Sequence, residues 1–194
     1  MMKRKTTMKK LISTFAMLLL FAVGCTDQTN ITSPEQSVQT QEPNWIVSLP
    51  SSSLGIETSH TASALIDGAN GGSVTLKKDV PGGPFGKIQV DSRLVILSGS
   101  FSGSMTISTN IDDVNFLTTF GPSYVFNKPL EYTLLLQGLN LNGVNPANVK
   151  FVYQAADGSI HECVSDGVDV DLAKGKLKVN KAKIPHFSRY GFVN

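Results

Sequence analysis

Apolar residues are distributed along the chain in three regimes. Leu11 to Gly24, LISTFAMLLLFAVG, is a run of fourteen residues without a charge. Residues 26–44, TDQTNITSPEQSVQTQEPN, hold only Ile31 and Val38 as strongly apolar positions among Thr, Gln, Ser and Asn. From Trp45 onward the apolar residues come in short β-branched and aromatic runs: WIVSL, SALI, SVTL, KIQV, RLVIL, SMTIST, EYTLLLQGL, VKFVYQ, KLKVNKAKI and YGFV. Gly68, Gly71-Gly72, Gly82-Gly83, Pro84 and Gly86 punctuate the first of these, and Asn142-Gly143 and Asp157-Gly158 the later ones. Such runs between turn residues predict an all-β fold, an antiparallel β-sandwich or a barrel. Asp157-Gly158, between VKFVYQ and SIHECV, predicts a two-residue hairpin. Residues 131–139 predict a central strand, with Leu134, Leu135 and Leu136 filling both faces; Thr133 and Gly138 weigh against a helix there. About 150 residues beyond the polar segment suffice for one β core.

Lys3, Arg4, Lys5, Lys9 and Lys10 precede the first apolar run. Fourteen residues fall short of the ~20 that a membrane-crossing helix needs. A basic stretch, a short apolar run and small residues at a cut make up a secretory signal. Ala22-Val23-Gly24-Cys25 resembles the lipobox of bacterial lipoproteins. That resemblance implies a signal peptide over 1–24, thioether lipidation of Cys25 and acylation of its new amine. The implied location is the bacterial cell envelope, membrane-anchored and facing the periplasm or the exterior; the competing expectation is an ordinary signal peptide. Each buried methylene contributes ~0.8 kcal/mol, so several acyl chains anchor firmly. Residues 25–44 then form the lipidated Cys and a tether too polar to fold, with a coil span on the order of 25 Å, and 45–194 form the folded domain.

This division changes what the charge means. The whole chain has 17 basic and 15 acidic residues, a net charge of +2. Removing the five leader cations and no acid leaves 12 against 15, a net charge of −3. A basic-protein argument for nucleic acid does not survive that change.

Four pieces recur in one order: IDGANGGSVTL at 66–76, LSGSFSGSMTIS at 97–108, TFGPSYVFNKPLEYTL at 119–134 and IPHFSRYGFV at 184–193. Together they resemble the ZU-five-type β domain of ankyrins, netrin receptors and zonula-occludens proteins, in the form seen in bacterial lipoproteins. The resemblance covers roughly residues 62–194. Its most specific parts are Phe120-Gly121-Pro122-Ser123 with Phe126 and Pro129, and His186-Phe187-Ser188 with Tyr190. It implies an antiparallel β-sandwich that packs against partners and carries no metabolic reaction. In some eukaryotic relatives the His-Phe-Ser tripeptide cleaves itself between Phe and Ser. The corresponding alternative here is hydrolysis of Phe187-Ser188, with Ser188 as nucleophile and His186 as base. Positions i and i+2 of a strand share a face, but ~7 Å apart, so proton transfer would need a sharp bend at Phe187. The plainer expectation is that Phe187 fills the core.

Other chemistry is weaker. Glu162, Asp166, Asp169 and Asp171, near His161 and Cys163, half suggest a calcium loop but lack the Asp-x-Asp-x-Asp-Gly order and the closing Glu. Acidic neighbours would raise a thiol pKa, so Cys163 reads as a half-buried free thiol rather than a nucleophile. Lys174, Lys176, Lys178, Lys181 and Lys183 alternate through a strand with Arg189 beyond. Period two sets Lys174, Lys176 and Lys178 opposite Leu177 and Val179. The lysines suit anionic headgroups, or simply a solvent face or guarded edge strand. His60 sits in a polar loop, and Gly99-Ser100-Phe101-Ser102-Gly103 puts Phe101 where a nucleophile elbow needs Ser. A glycan- or matrix-binding sandwich would use exposed aromatics, for which Trp45, Tyr124 and Tyr132 are available. The expectation is a lipid-anchored envelope protein with a β-sandwich interaction or structural module. It has no catalytic activity and no cofactor or metal, an unidentified envelope protein as partner, and no nucleic acid.

Overall fold

Alternation of inward and outward side chains along its long strands builds this molecule. The computed structural model describes residues 43–46 and 59–194; the leader, Cys25 and most of the tether lie outside the described residues. The described strands are β1 Ser59–Asp67, β2 Gly72–Pro81, β3 Lys87–Ile96, β4 Ser104–Asp112, β5 Thr118–Gly121, β6 Val125–Gln137, β7 Lys150–Gln154, β8 Ile160–Glu162, β9 Val168–Asp171, β10 Lys176–His186 and β11 Arg189–Val193. Among the described residues there is no helix. The strands form two antiparallel sheets, β1-β4-β5-β11-β7-β8 and β2-β3-β6-β10-β9. Their apolar faces meet in one core, an antiparallel β-sandwich.

KIQV and RLVIL, separate runs in the sequence, join as one strand. Ile88, Val90, Ser92, Leu94 and Ile96 of β3 all point inward, and Ser92 keeps the phase across the polar break. In β6 the inward row is Leu130, Tyr132, Leu134 and Leu136, each fully buried. β6 is the central strand of its sheet, as predicted. Leu135, however, points to the outer face and is half-buried, because that face of the sheet looks toward solvent.

Two features join the sheets. Thr118 on β5 and Tyr132 on β6, both fully buried, share a hydrogen bond of 3.0 Å across the core. Around it runs an aromatic cluster: Phe120 meets Tyr132 edge-on at 5.0 Å and Tyr190 at 5.4 Å, and Phe151 meets Phe192 at 5.1 Å. Gly191 leaves room for the Trp45 ring on the outer side of β11; a Cβ there would lie 3.0 Å from that ring and 2.5 Å from Leu117. Trp45 in turn bridges to Val193, so the chain just beyond the predicted tether is stitched to the last strand.

Three sequence expectations are corrected. The chain between β7 and β8 turns over Ala155–Ser159 rather than a two-residue hairpin. The Ala155 N–H donates to Ser159 O at 2.8 Å and Gly158 N–H to Ala155 O at 2.9 Å, with Gly158 at φ +84°. His60 belongs to β1 instead of a loop, on its inward face opposite Ile111. Lys174 lies in the turn before β10, and β10 is an interior strand between β6 and β9 rather than an edge.

Candidate functional site at the β10–β11 junction

His186 ends β10 in one sheet and Arg189 begins β11 in the other. Phe187 and Ser188 carry the chain between the sheets, so His186 and Ser188 do not share a strand face. Phe187, half-buried, packs its ring against Phe126 at 4.9 Å and Phe120 at 5.4 Å, so it lies against the margin of the core rather than filling it. The Ser188 hydroxyl donates to the carbonyl of Gln154 on β7. The Tyr190 hydroxyl reaches back to the His186 carbonyl at 2.5 Å, satisfying a polar group that burial would otherwise leave unpaired. Burial holds the Tyr190 phenol above its usual range.

The His186 ring stands edge-on to Tyr153 at 5.0 Å and 86°. His161 stacks on the same tyrosine at 5.1 Å and 24°. The Ser159 hydroxyl donates to Asp157 Oδ1 at 2.6 Å and lies 2.8 Å from His161 Nε2. A hydroxyl has one proton, so with it on Asp157 the Nε2 of His161 must be the donor. The Ser159 hydroxyl, and then its backbone N–H, hold the Asp157 carboxyl below its ordinary range. Sequence inspection missed Tyr153, Ser159 and Asp157 as members of this group. The two-residue turn expected at Asp157-Gly158 would set Gln154 opposite His161; the longer turn shifts the register so that Tyr153 stands there, and Tyr190 reaches it from the distant strand β11. Chemically, the arrangement orients His161 and braces the chain at Ser188. Among the described residues no hydrogen bond joins the Ser188 hydroxyl to His186.

The acidic loop and the lysine strand, separate candidates in the sequence, lie side by side and pair. Lys176 meets Asp169 at 2.5 Å, Lys174 meets Asp171 at 3.5 Å, and Lys181 meets Asp166 at 3.7 Å. Lys183 meets Glu131 at 2.6 Å, a bond that lowers the Glu131 pKa. Among the described residues no three His, Cys, Asp or Glu side chains converge as a metal site. Lys178 remains outside these pairs and borders an open recess of about 370 Å³ with Asp91, Arg93, Thr133 and Leu135.

Cys163 is a buried free thiol, pushed up to about 12 by burial and then by Glu162. Phe101 of the Gly99–Gly103 segment is core. Of the aromatics considered for glycan binding, Tyr132 is fully buried and is removed as a platform. Trp45 is half-buried against Gly191, and Tyr124, 37% exposed, packs against Phe101 and Phe126. No family model, no curated protein and no solved structure matches the chain.

Proposed function

We propose that this chain is a lipid-anchored protein of the bacterial cell envelope whose ZU-five-like β-sandwich serves as a structural or interaction module. The fold is consistent with a module of that kind. The observation that carries the reading is the mutual pairing of its charged candidates: the Asp166–Asp171 loop and the lysines of β10 hold one another. Ser188 and His186 likewise make contacts that brace the junction between the sheets. The anchor rests on the basic leader, the uncharged run and the Ala22–Cys25 segment. Anchoring through Cys25 at the end of a polar tether leaves the sandwich accessible to an envelope protein.

The test is expression of the full chain in a bacterium fed a clickable fatty acid, beside Cys25→Ser. The expected result is a labelled protein in the membrane fraction, with label and membrane retention both lost in the variant. Equal labelling of the two chains, or an unlabelled parent, overturns the anchor. Capture of envelope proteins by the anchored parent then identifies the partner.

A further inference from the structure

Each sheet has two edges, and an edge strand presents backbone N–H and C=O groups that can pair with another chain. Three of the four edges are blunted. β2 carries Lys77, Lys78 and Asp79 and ends in Pro81, β9 is four residues with Asp169 and Asp171, and β8 is three residues long. The fourth, β1, runs nine residues as SHTASALID with no Lys, Arg or Pro, and its only acid is the terminal Asp67.

The ladder shows which of its backbone groups have no partner among the described residues. Gly68 donates its N–H to Gly103 O at 2.8 Å, one step beyond the unbroken β1–β4 register that ends at Asp67↔Ser104. Residues of an antiparallel strand alternate between bonding their neighbour and facing away. His60, Ala62, Ala64 and Ile66 therefore bond β4, while Thr61, Ser63 and Leu65 turn their N–H and C=O outward. On the core side, Ala62 and Ala64 stay half-buried, whereas their partners Thr109 and Ile107 are sealed at 1% and 0% exposure. The core is thus open along β1. On the other face, Leu65 is 73% exposed.

We propose that β1 pairs antiparallel with β1 of a second copy of this chain, about a two-fold axis at Ser63. The strand is complementary to itself in that register. Ser63 faces Ser63, Thr61 faces Leu65, and the three residues with free backbone groups form six N–H···O bonds. On the core side Ala62 faces Ala64 and His60 faces Ile66, so small and large side chains pair without a clash of bulk. Asp67 faces Ser59, so no like charges meet. This is the isologous contact that two-fold symmetry requires, and it extends one sheet continuously across two molecules. It holds whether or not Cys25 carries lipid.

The experiment measures the mass of the purified full chain by sedimentation across a concentration series, together with three variants. A hydrogen-bonded pair has its Cα atoms about 5.5 Å apart, within the range a disulfide spans. Ser63→Cys therefore forms a covalent dimer on mild oxidation. Thr106→Cys, on the exposed face of β4, forms no more than the parent chain. Ser63→Lys, which sets two cations face to face on the axis, halves the mass at fixed concentration without changing the circular dichroism spectrum. A parent that stays monomeric at every concentration overturns the proposal, including one recovered with an unrelated protein. So does a dimer that survives Ser63→Lys, or cross-linking of Thr106→Cys as readily as Ser63→Cys.

Discussion

The hydrogen bond between Thr118 and Tyr132 allows the tie between the two sheets to be measured directly. Both side chains are fully buried, and the bond of 3.0 Å crosses from β5 in one sheet to β6 in the other. Tyr132 also hydrogen-bonds Ser92 of β3, and burial holds its phenol above the usual range despite both bonds. Removing one partner of a buried pair costs the desolvation of the group left behind, ~1–3 kcal/mol. Thr118→Val leaves Tyr132 with Ser92 and is expected to cost about 1 kcal/mol. Tyr132→Phe strands both Thr118 and Ser92 and is expected to cost about 2–3 kcal/mol. The double variant strands only Ser92, so its cost should fall short of the sum by about 1 kcal/mol, a coupling typical of contacting residues. Urea unfolding of the four chains at constant pH gives the cycle. Strict additivity, or a larger cost for Thr118→Val than for Tyr132→Phe, refutes the bond as the tie between the sheets.

Three further outcomes follow from the same structure. The Cys163 thiol is held at about 12 against an ordinary 9.0; a group kept neutral by folding ionises first in the unfolded chain, so stability falls as pH rises above 9. Between pH 8 and 10 the thiol's share of the loss is about 1 kcal/mol, and urea titrations should show the alkaline slope shallower in Cys163→Ala, leaving only the smaller loss from the buried Tyr132 and Tyr190 phenols; parallel pH slopes for the two chains would refute it. Gly191→Ala should cost about 1–3 kcal/mol through overpacking and red-shift the emission of Trp45, the only tryptophan; unchanged stability and emission would show that the pocket adapts. Intact-mass measurement of the purified chain should retain Ser188–Asn194; loss of those seven residues would instead establish cleavage at Phe187-Ser188.

Strand content was legible because period two is a local property. Ile88, Val90, Leu94 and Ile96 declare β3 without reference to anything distant. What the sequence hides depends on register. Asn180 and Lys181 together oppose Thr133, because the pairing steps from Val179↔Leu134 to Ala182↔Tyr132. This bulge, with Lys181 at φ +48°, lets Ala182 and Ile184 stay inward although Val179 and Ala182 are three apart. The odd spacing between Lys178 and Lys181 was its trace in the sequence. The trio His161, Tyr153 and His186 likewise depends on which strands become neighbours. Tyr153 and His161 meet across β7 and β8, while His186 arrives from the other sheet.

Register also explains why the conspicuous charges were poor guides to interaction. Asp169 pairs in the β9–β10 ladder two residues from Lys176's own partner, close enough for the lysine to reach it at 2.5 Å. Lys183 stands directly opposite Glu131. Exposed pairs of this kind contribute ~0.2–1 kcal/mol each, so their main effect is to leave little unsatisfied charge for a ligand. The unguarded β1 edge has the opposite character. Its outward residues between the strand ends are Thr61, Ser63 and Leu65, which no composition-based argument would select, and its capacity to bind lies in main-chain groups common to every residue. Such capacity emerges only when the fold leaves those groups unpaired, and among the described residues it does so along β1, an edge without a lysine, arginine or proline to block it.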